Sequence, residues 1–253
     1  MIIYKSPAEI DKMRRSGKIL AATIERVLAK VRVGVTTAEL DEIADSSIRS
    51  QGATPSFLGY GHPPFPASIC ASINEEIVHG IPSPDRSVKD GDLLKLDFGA
   101  IWEGFHSDSA VTVIVGDARS ADAEKLVRVT EDALEAGISQ VKAGGRLSDI
   151  GAAVQQVAEG AGFSVVREYV GHGIGRSMHE DPQIPNYGEP GRGPQLKPGL
   201  VVAVEPMVNV GGWETRVLAD DWTVVTADGA LSAHFEHTIA VTEDGPEVLT
   251  ARG

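Results

Sequence analysis

Val31-Arg32-Val33-Gly34 returns as Val141-Lys142-Ala143-Gly144, an offset of 110 residues. The same offset aligns Glu39 with Asp149, Leu40 with Ile150 and Gly52 with Gly162. In both copies a helix ends near a glycine and a second, capped helix begins a few residues later. Two readings stay open at this point. Either two helix–loop–helix units look alike by chance, or the fold is pseudo-two-fold and each half donates groups to a shared central cleft.

The local signals frame those helices. Ser6-Pro7-Ala8-Glu9 reads as a helix start, with Ser as cap, Pro at the first helical position and Glu closing a capping box. Ile10, Met13, Gly17, Leu20, Ile24 and Val27 follow at helical spacing, which predicts a helix to about Lys30. Thr36-Thr37-Ala38-Glu39 starts a second, stopped at Gly52. Further helices are expected from Ala121 to Val141 and from Ser148 to Glu159, with β-rich runs at Asp92–Phe98, Phe105–Val115, Leu200–Val210 and His234–Val241. No low-complexity linker divides the chain, so no boundary between independent domains is expected.

Composition excludes several functions. Thirty-six acids against 23 Lys and Arg leave a net charge of −13. That opposes broad electrostatic binding of nucleic acid, which needs cations to neutralise phosphates. A single cysteine, Cys70, allows no internal disulfide and suits a reducing compartment. No apolar run reaches the roughly 20 residues of a membrane span, and the first residues lack a signal peptide's apolar stretch. The expected location is the cytoplasm.

The chemistry-bearing residues begin with Leu94–Asp108. Two strand-like runs flank Glu103-Gly104, a two-residue hairpin turn. That loop would pair Asp97 with Ala110 and Gly99 with Asp108, leaving Asp97 and Asp108 on one face as diagonal neighbours about 7–8 Å apart at the backbone. Their carboxylates could then reach one ion or two adjacent ions; a one-residue slip would separate them. Glu205 ends the apolar run Leu200–Val204, and Glu236 sits in His234–Val241. Buried there, each needs a cation, a hydrogen-bond network or a proton. His172 lies among glycines in Gly171–Gly175, with His179 seven residues on and His79 in Asn74–Pro82. Each feature alone has a blander reading: a solvated hairpin face, an exposed strand end, a loop histidine, a small buried cysteine. No phosphate loop, nucleophile elbow or zinc helix is spelled out.

Considered together, the blocks Ser68–Pro82, Lys89–Asp108, Gly171–Pro182, Lys197–Pro206 and Asp221–Gly245 resemble the methionine aminopeptidases, and among them the bacterial type I form. The resemblance runs from the first helix to Val248. It implies an α+β, pseudo-two-fold pita-bread fold with a central antiparallel sheet and flanking helices. It implies hydrolysis of an N-terminal methionine from nascent chains when the second residue is small. The implied metal ligands are Asp97, Asp108, His172, Glu205 and Glu236. Asp97 would chelate one divalent ion, His172 and Glu205 would complete a second, and Asp108 and Glu236 would bridge both. Four carboxylates balance two divalent cations, and a hydroxide generated between the ions would attack the carbonyl. Glu205 is the implied general base, His179 the oxyanion donor and His79 the contact to the scissile amide. Phe65, Cys70 and Trp222 would line the methionine slot. One histidine and four carboxylates suit Co, Mn, Fe or Zn.

The chain departs from that pattern at His62 and Phe65, where tyrosines are common, at Met178, where a larger aromatic is frequent, and at His234, where glutamine is commoner. These leave the slot's shape less defined than the metal site. Prolidase-like relatives would share the ligands but carry an extra N-terminal domain, and the first helix is expected to open the chain near Ser6. Type II relatives carry an insertion for which the spacing from His179 to Glu236 leaves little room. A non-catalytic protein on this fold would be expected to have lost ligands, and all five are present. A monomer is expected, with no membrane partner; ribosome association is left open.

Overall fold

The offset of 110 is a repeat in three dimensions. In the computed structural model, which describes residues 1–253, α1 (Pro7–Leu28) leads to α2 (Thr37–Ser50), and α3 (Ala121–Ile138) leads to α4 (Leu147–Gly160). The bounds of α4 are those of α2 shifted by 110 residues. Gly34 and Gly144 both take left-handed φ, +86° and +87°, and each donates its N–H to the residue after an isolated β-bridge, Val88 and Leu196 respectively. Chance likeness of two units does not explain matched backbone geometry of this kind.

Both predicted capping boxes form: Ser6 with Glu9 and Thr36 with Glu39, each side chain bonding the other's backbone N–H. Helix α4 starts one residue earlier than expected, because Asp149 accepts the Arg146 N–H at 2.8 Å.

Strands β1 (Thr54–Pro55), β2 (Ile69–Ile73) and β3 (Glu76–Val78) precede a long hairpin, β4 (Leu93–Trp102) and β5 (Phe105–Ile114). After α4 come β6 (Ser164–Val165), β7 (Gly171–Gly173), β8 (Glu180–Ile184), β9 (Val201–Val204) and β10 (Met207–Asn209). The chain closes with β11 (Thr215–Val217), β12 (Val224–Thr226), β13 (Ser232–His234), β14 (His237–Thr242) and β15 (Gly245–Val248). In the first half β4 pairs with β5, β2 and β1; in the second, β15-β14-β9-β7-β8 form a five-stranded sheet, with two small three-stranded sheets beside them. All the pairings are antiparallel.

The antiparallel centre is built where two of these sheets meet and join. Ala110 and Glu236 exchange backbone hydrogen bonds of 3.3 and 3.1 Å. Beside them, the Thr238 hydroxyl donates to the Asp108 carbonyl and accepts from the Asp108 N–H. The main apolar core runs through both halves, from Ile19 and Ile48 of the first to Val202 and Val241 of the second.

Two expected strands are broken where the acids sit. The run Leu200–Val210 divides into β9 and β10 around Glu205-Pro206, since Pro206 has no N–H to give a ladder. The run His234–Val241 divides at Phe235-Glu236, because the Glu236 backbone leaves β14's own ladder to bond β5. Each break turns a carboxylate toward the cleft.

Gly17 shows how closely α1 packs. A Cβ there would lie 2.1 Å from the Leu249 carbonyl oxygen, which is backbone and has little room to yield. In a free helix Gly→Ala gains about 1 kcal/mol, but here the clash dominates. Gly17→Ala is expected to destabilise by about 2–3 kcal/mol, lowering Tm by roughly 5–10 °C for a chain of this size. A thermal denaturation curve measures it; an unchanged or raised Tm would refute the close contact.

Candidate metal centre and its cavity

The β4–β5 hairpin forms with the register its turn dictates. Glu103 and Gly104 take φ of +47° and +78°, and Asp97 faces Ala110 while Gly99 faces Asp108. Asp97 and Asp108 thus share the face that looks into a cavity of about 120 Å³. At roughly 10–15 Å³ per water position, that is room for one side chain and a few ligand atoms. His172 enters from β7, Glu205 from the break after β9 and Glu236 from the break before β14.

These groups crowd. One ligand atom each from Asp108, His172 and Glu236, all buried, lies within 4.8 Å of the others. His172 Nε2 is 3.5 Å from Glu205 Oε1 and 3.9 Å from Asp108 Oδ2. Burial pushes the Asp97 carboxyl up to about 7. Burial, followed by the charges of neighbouring acids, pushes Asp108, Glu205 and Glu236 well above the carboxylate range. Asp97 Oδ1, Asp108 Oδ1 and Glu236 Oε1 are enclosed and accept no hydrogen bond. Unpaired buried carboxylate oxygens are costly, and a cation is the partner that relieves all of them at once.

His172 is prepared for the same role. Its Nδ1 lies 2.9 Å from the Gly173 carbonyl, so the ring proton belongs there and the Nε2 lone pair faces the acids. Burial holds the imidazole neutral, with its pKa lowered to about 3. Gly173 is required beside it, since a Cβ would come within 2.2 Å of the Asp181 carbonyl. Oxygen and imidazole donors in this set fit a divalent cation of the first transition row or zinc.

Residues 11–243 match the family model of metallopeptidase family M24. The chain belongs to metallopeptidase family M24. Within it, the chain is 54% identical to methionine aminopeptidase 1 of Bacillus subtilis over 250 residues, 99% of each protein. It superimposes on the crystal structure of methionine aminopeptidase from Thermotoga maritima with a TM-score of 0.97, 44% identity and full coverage of both chains. Prolidase from Pyrococcus furiosus shares the fold at a TM-score of 0.80, 21% identity and 99% of this chain, which spans only 66% of that protein. The family's divalent-metal chemistry agrees with the orphaned carboxylates.

All ten site residues expected from the sequence line this M24 cavity: Asp97, Asp108, His172, Glu205, Glu236, His79, His179, Phe65, Cys70 and Trp222. Phe57, Phe65, Cys70 and Met178 form a buried apolar cluster with Trp222 packed against it. Trp222 stands edge-on to Phe65 at 5.2 Å and to His79 at 6.1 Å. His79 holds an unusual left-handed φ of +61°, and burial lowers its pKa to about 4. Met178 lines the cavity too, with a flexible thioether where an aromatic would be stiffer.

His62 is a correction. It is exposed and outside the cavity, and Tyr60 takes the place expected for it. The loop closes on itself through Gly59 N–H to Phe65 O and Phe65 N–H to Tyr60 O, which puts His62 at the tip. Sequence reading also missed Phe57; nothing in its spacing separates it from a core aromatic. His234 lies behind the acids, fully buried, with Nε2 3.9 Å from Glu205 Oε2 and neither ring nitrogen bonded.

Proposed function

We propose that this chain is a metalloaminopeptidase that removes an N-terminal methionine when the next residue is small. The unpartnered carboxylate oxygens of Asp97, Asp108 and Glu236 beside an apolar slot carry the reading. Two divalent ions per chain, drawn from Co, Mn, Fe and Zn, are proposed to be held by Asp97, Asp108, His172, Glu205 and Glu236. When bound, such ions polarise a carbonyl and acidify water at neutral pH. The remaining work belongs to the chain. Glu205, whose Oε1 lies 3.5 Å from His172 Nε2 and whose Oε2 lies 3.9 Å from His234 Nε2, would take a proton from water and return it to the leaving amine. His179 at the mouth donates to the carbonyl oxygen as it gains charge. His79, kept neutral, contacts the scissile amide. Phe65, Cys70 and Trp222, with Phe57 and Met178, enclose the methionine side chain. Residues 1–253 act as one catalytic domain, a monomer in the cytoplasm, on the free N-termini of nascent chains. No helix is long and apolar enough to cross a membrane.

Product analysis tests the reading. With a defined divalent metal, Met-Ala-Ser should release free methionine and Ala-Pro should remain intact. Met-Ile-Ser should be cleaved roughly 10²-fold more slowly, because a β-branched second residue misplaces the carbonyl by about 1 Å. Cleavage dependent on proline would transfer the assignment to the prolidase side, and equal rates on the two methionine peptides would refute the size rule.

A further inference from the structure

We propose that Tyr60 is a positioning residue that sets the tautomer of His179. Its hydroxyl lies 2.5 Å from Nδ1; as the donor in that contact it would hold the single ring proton on Nε2, the nitrogen left for the substrate. The inference rests on the oxyanion role of His179 and accounts for how a neutral imidazole becomes a donor. A neutral imidazole carries one proton, and its two nitrogens compete for it. An oxyanion requires that proton on the nitrogen facing it. The neighbouring ring of His172, 4.2 Å away between centroids, does not compete for Nδ1, since its own Nδ1 is engaged by Gly173.

Tyr60 is built to stay a donor. A phenol is protonated at neutral pH and has an O–H to give. Its ring lies 5.3 Å from that of His179 at 45°, while its loop is pinned from below. Tyr60 N–H donates to Phe57 O, and Phe65 N–H to Tyr60 O. A Cβ at Gly61 would meet the Trp222 ring at 2.5 Å, so glycine is what lets the loop lie against it. The contact spans the molecule's two halves: Tyr60 comes from the first and His179 from the second.

Tyr60→Phe removes one oxygen atom and leaves the ring. With ¹⁵N-labelled histidine and zinc-loaded protein, the wild type should show His179 as the Nε2–H tautomer by NMR, and Tyr60→Phe a mixture. Turnover with Met-Ala-Ser should fall about fivefold to twentyfold, the scale of one hydrogen bond, with KM within about twofold and metal content unchanged. In a His179→Ala background the same substitution should cost nothing further. An Nδ1–H tautomer in the wild type, or wild-type turnover in Tyr60→Phe, overturns the proposal. So does an equal loss with and without His179, which would place the hydroxyl on the substrate instead. Near-wild-type turnover in His179→Ala would overturn the oxyanion role itself, an outcome the NMR measurement separates from failure of the Tyr60 contact.

Discussion

Asp108→Asn should abolish turnover, by on the order of 10³-fold or more, and should lose bound metal at the same time. Asp108 is buried, its Oδ1 accepts nothing within the protein, and burial together with Asp97 and Glu205 drives its pKa up. Without a cation this carboxyl is a liability; in the proposed metal site it is a ligand. Asn keeps the shape, and its backbone bonds to Thr238 are untouched. It removes a negative charge and turns an N–H donor toward the cation's place. Two thermal measurements should therefore move in opposite directions. Stripped of metal, Asp108→Asn should melt above the stripped wild type, because one member of a crowded acid cluster is gone. With metal added, the wild type should rise by linkage, since the ligand binds only the folded state, and the variant should not. Metal uptake by the wild type should also release protons, because the pKa values of Asp97, Asp108, Glu205 and Glu236 are raised before binding. Unchanged metal stoichiometry in Asp108→Asn, by elemental analysis, would sink the proposal that Asp108 holds the metal.

His179→Ala should give the complementary result: metal retained, turnover reduced by about 10²–10³, the cost of one oxyanion donor. His179 is exposed at the mouth and takes no part in the cluster of Asp108, His172 and Glu236, although its ring stands 4.2 Å from that of His172. Its loss leaves no buried charge unpaired, so stability should change little. The reduction should appear in kcat and in kcat/KM alike, as expected for an interaction made only in the transition state. His79→Ala should spare the metal as well, since its ring packs on Tyr169 and Trp222 rather than on the acids. Loss of one metal equivalent in either variant would make that histidine a ligand.

Local chemistry wrote much of this molecule in advance. The capping boxes at Ser6 and Thr36 and the turn at Glu103-Gly104 depend on neighbours a few residues apart, and they form as the residues dictate. A two-residue turn leaves one register, so the shared face of Asp97 and Asp108 was legible without any tertiary contact. The matched glycines at offset 110 were legible too, because left-handed backbone is a property of single residues. Glu205 and Glu236 were different. Resemblance brought them into the site, while their spacing allowed an exposed strand end equally well.

What tertiary structure alone decided is where segments far apart in the chain meet. Periodicity reads Leu200–Val210 and His234–Val241 as continuous strands. The breaks arise because Glu236 pairs with Ala110 of the other half and because Pro206 cannot continue a ladder. Tyr60 in place of His62 follows from a loop closed between Gly59 and Phe65 and leaned on Trp222, a residue of the opposite half. Sequence fixes which backbone each residue can adopt and which face it presents. The convergence of Asp108, His172 and Glu236 within 4.8 Å is set by how two halves pack, and packing is a sum over many contacts that no short stretch of residues contains.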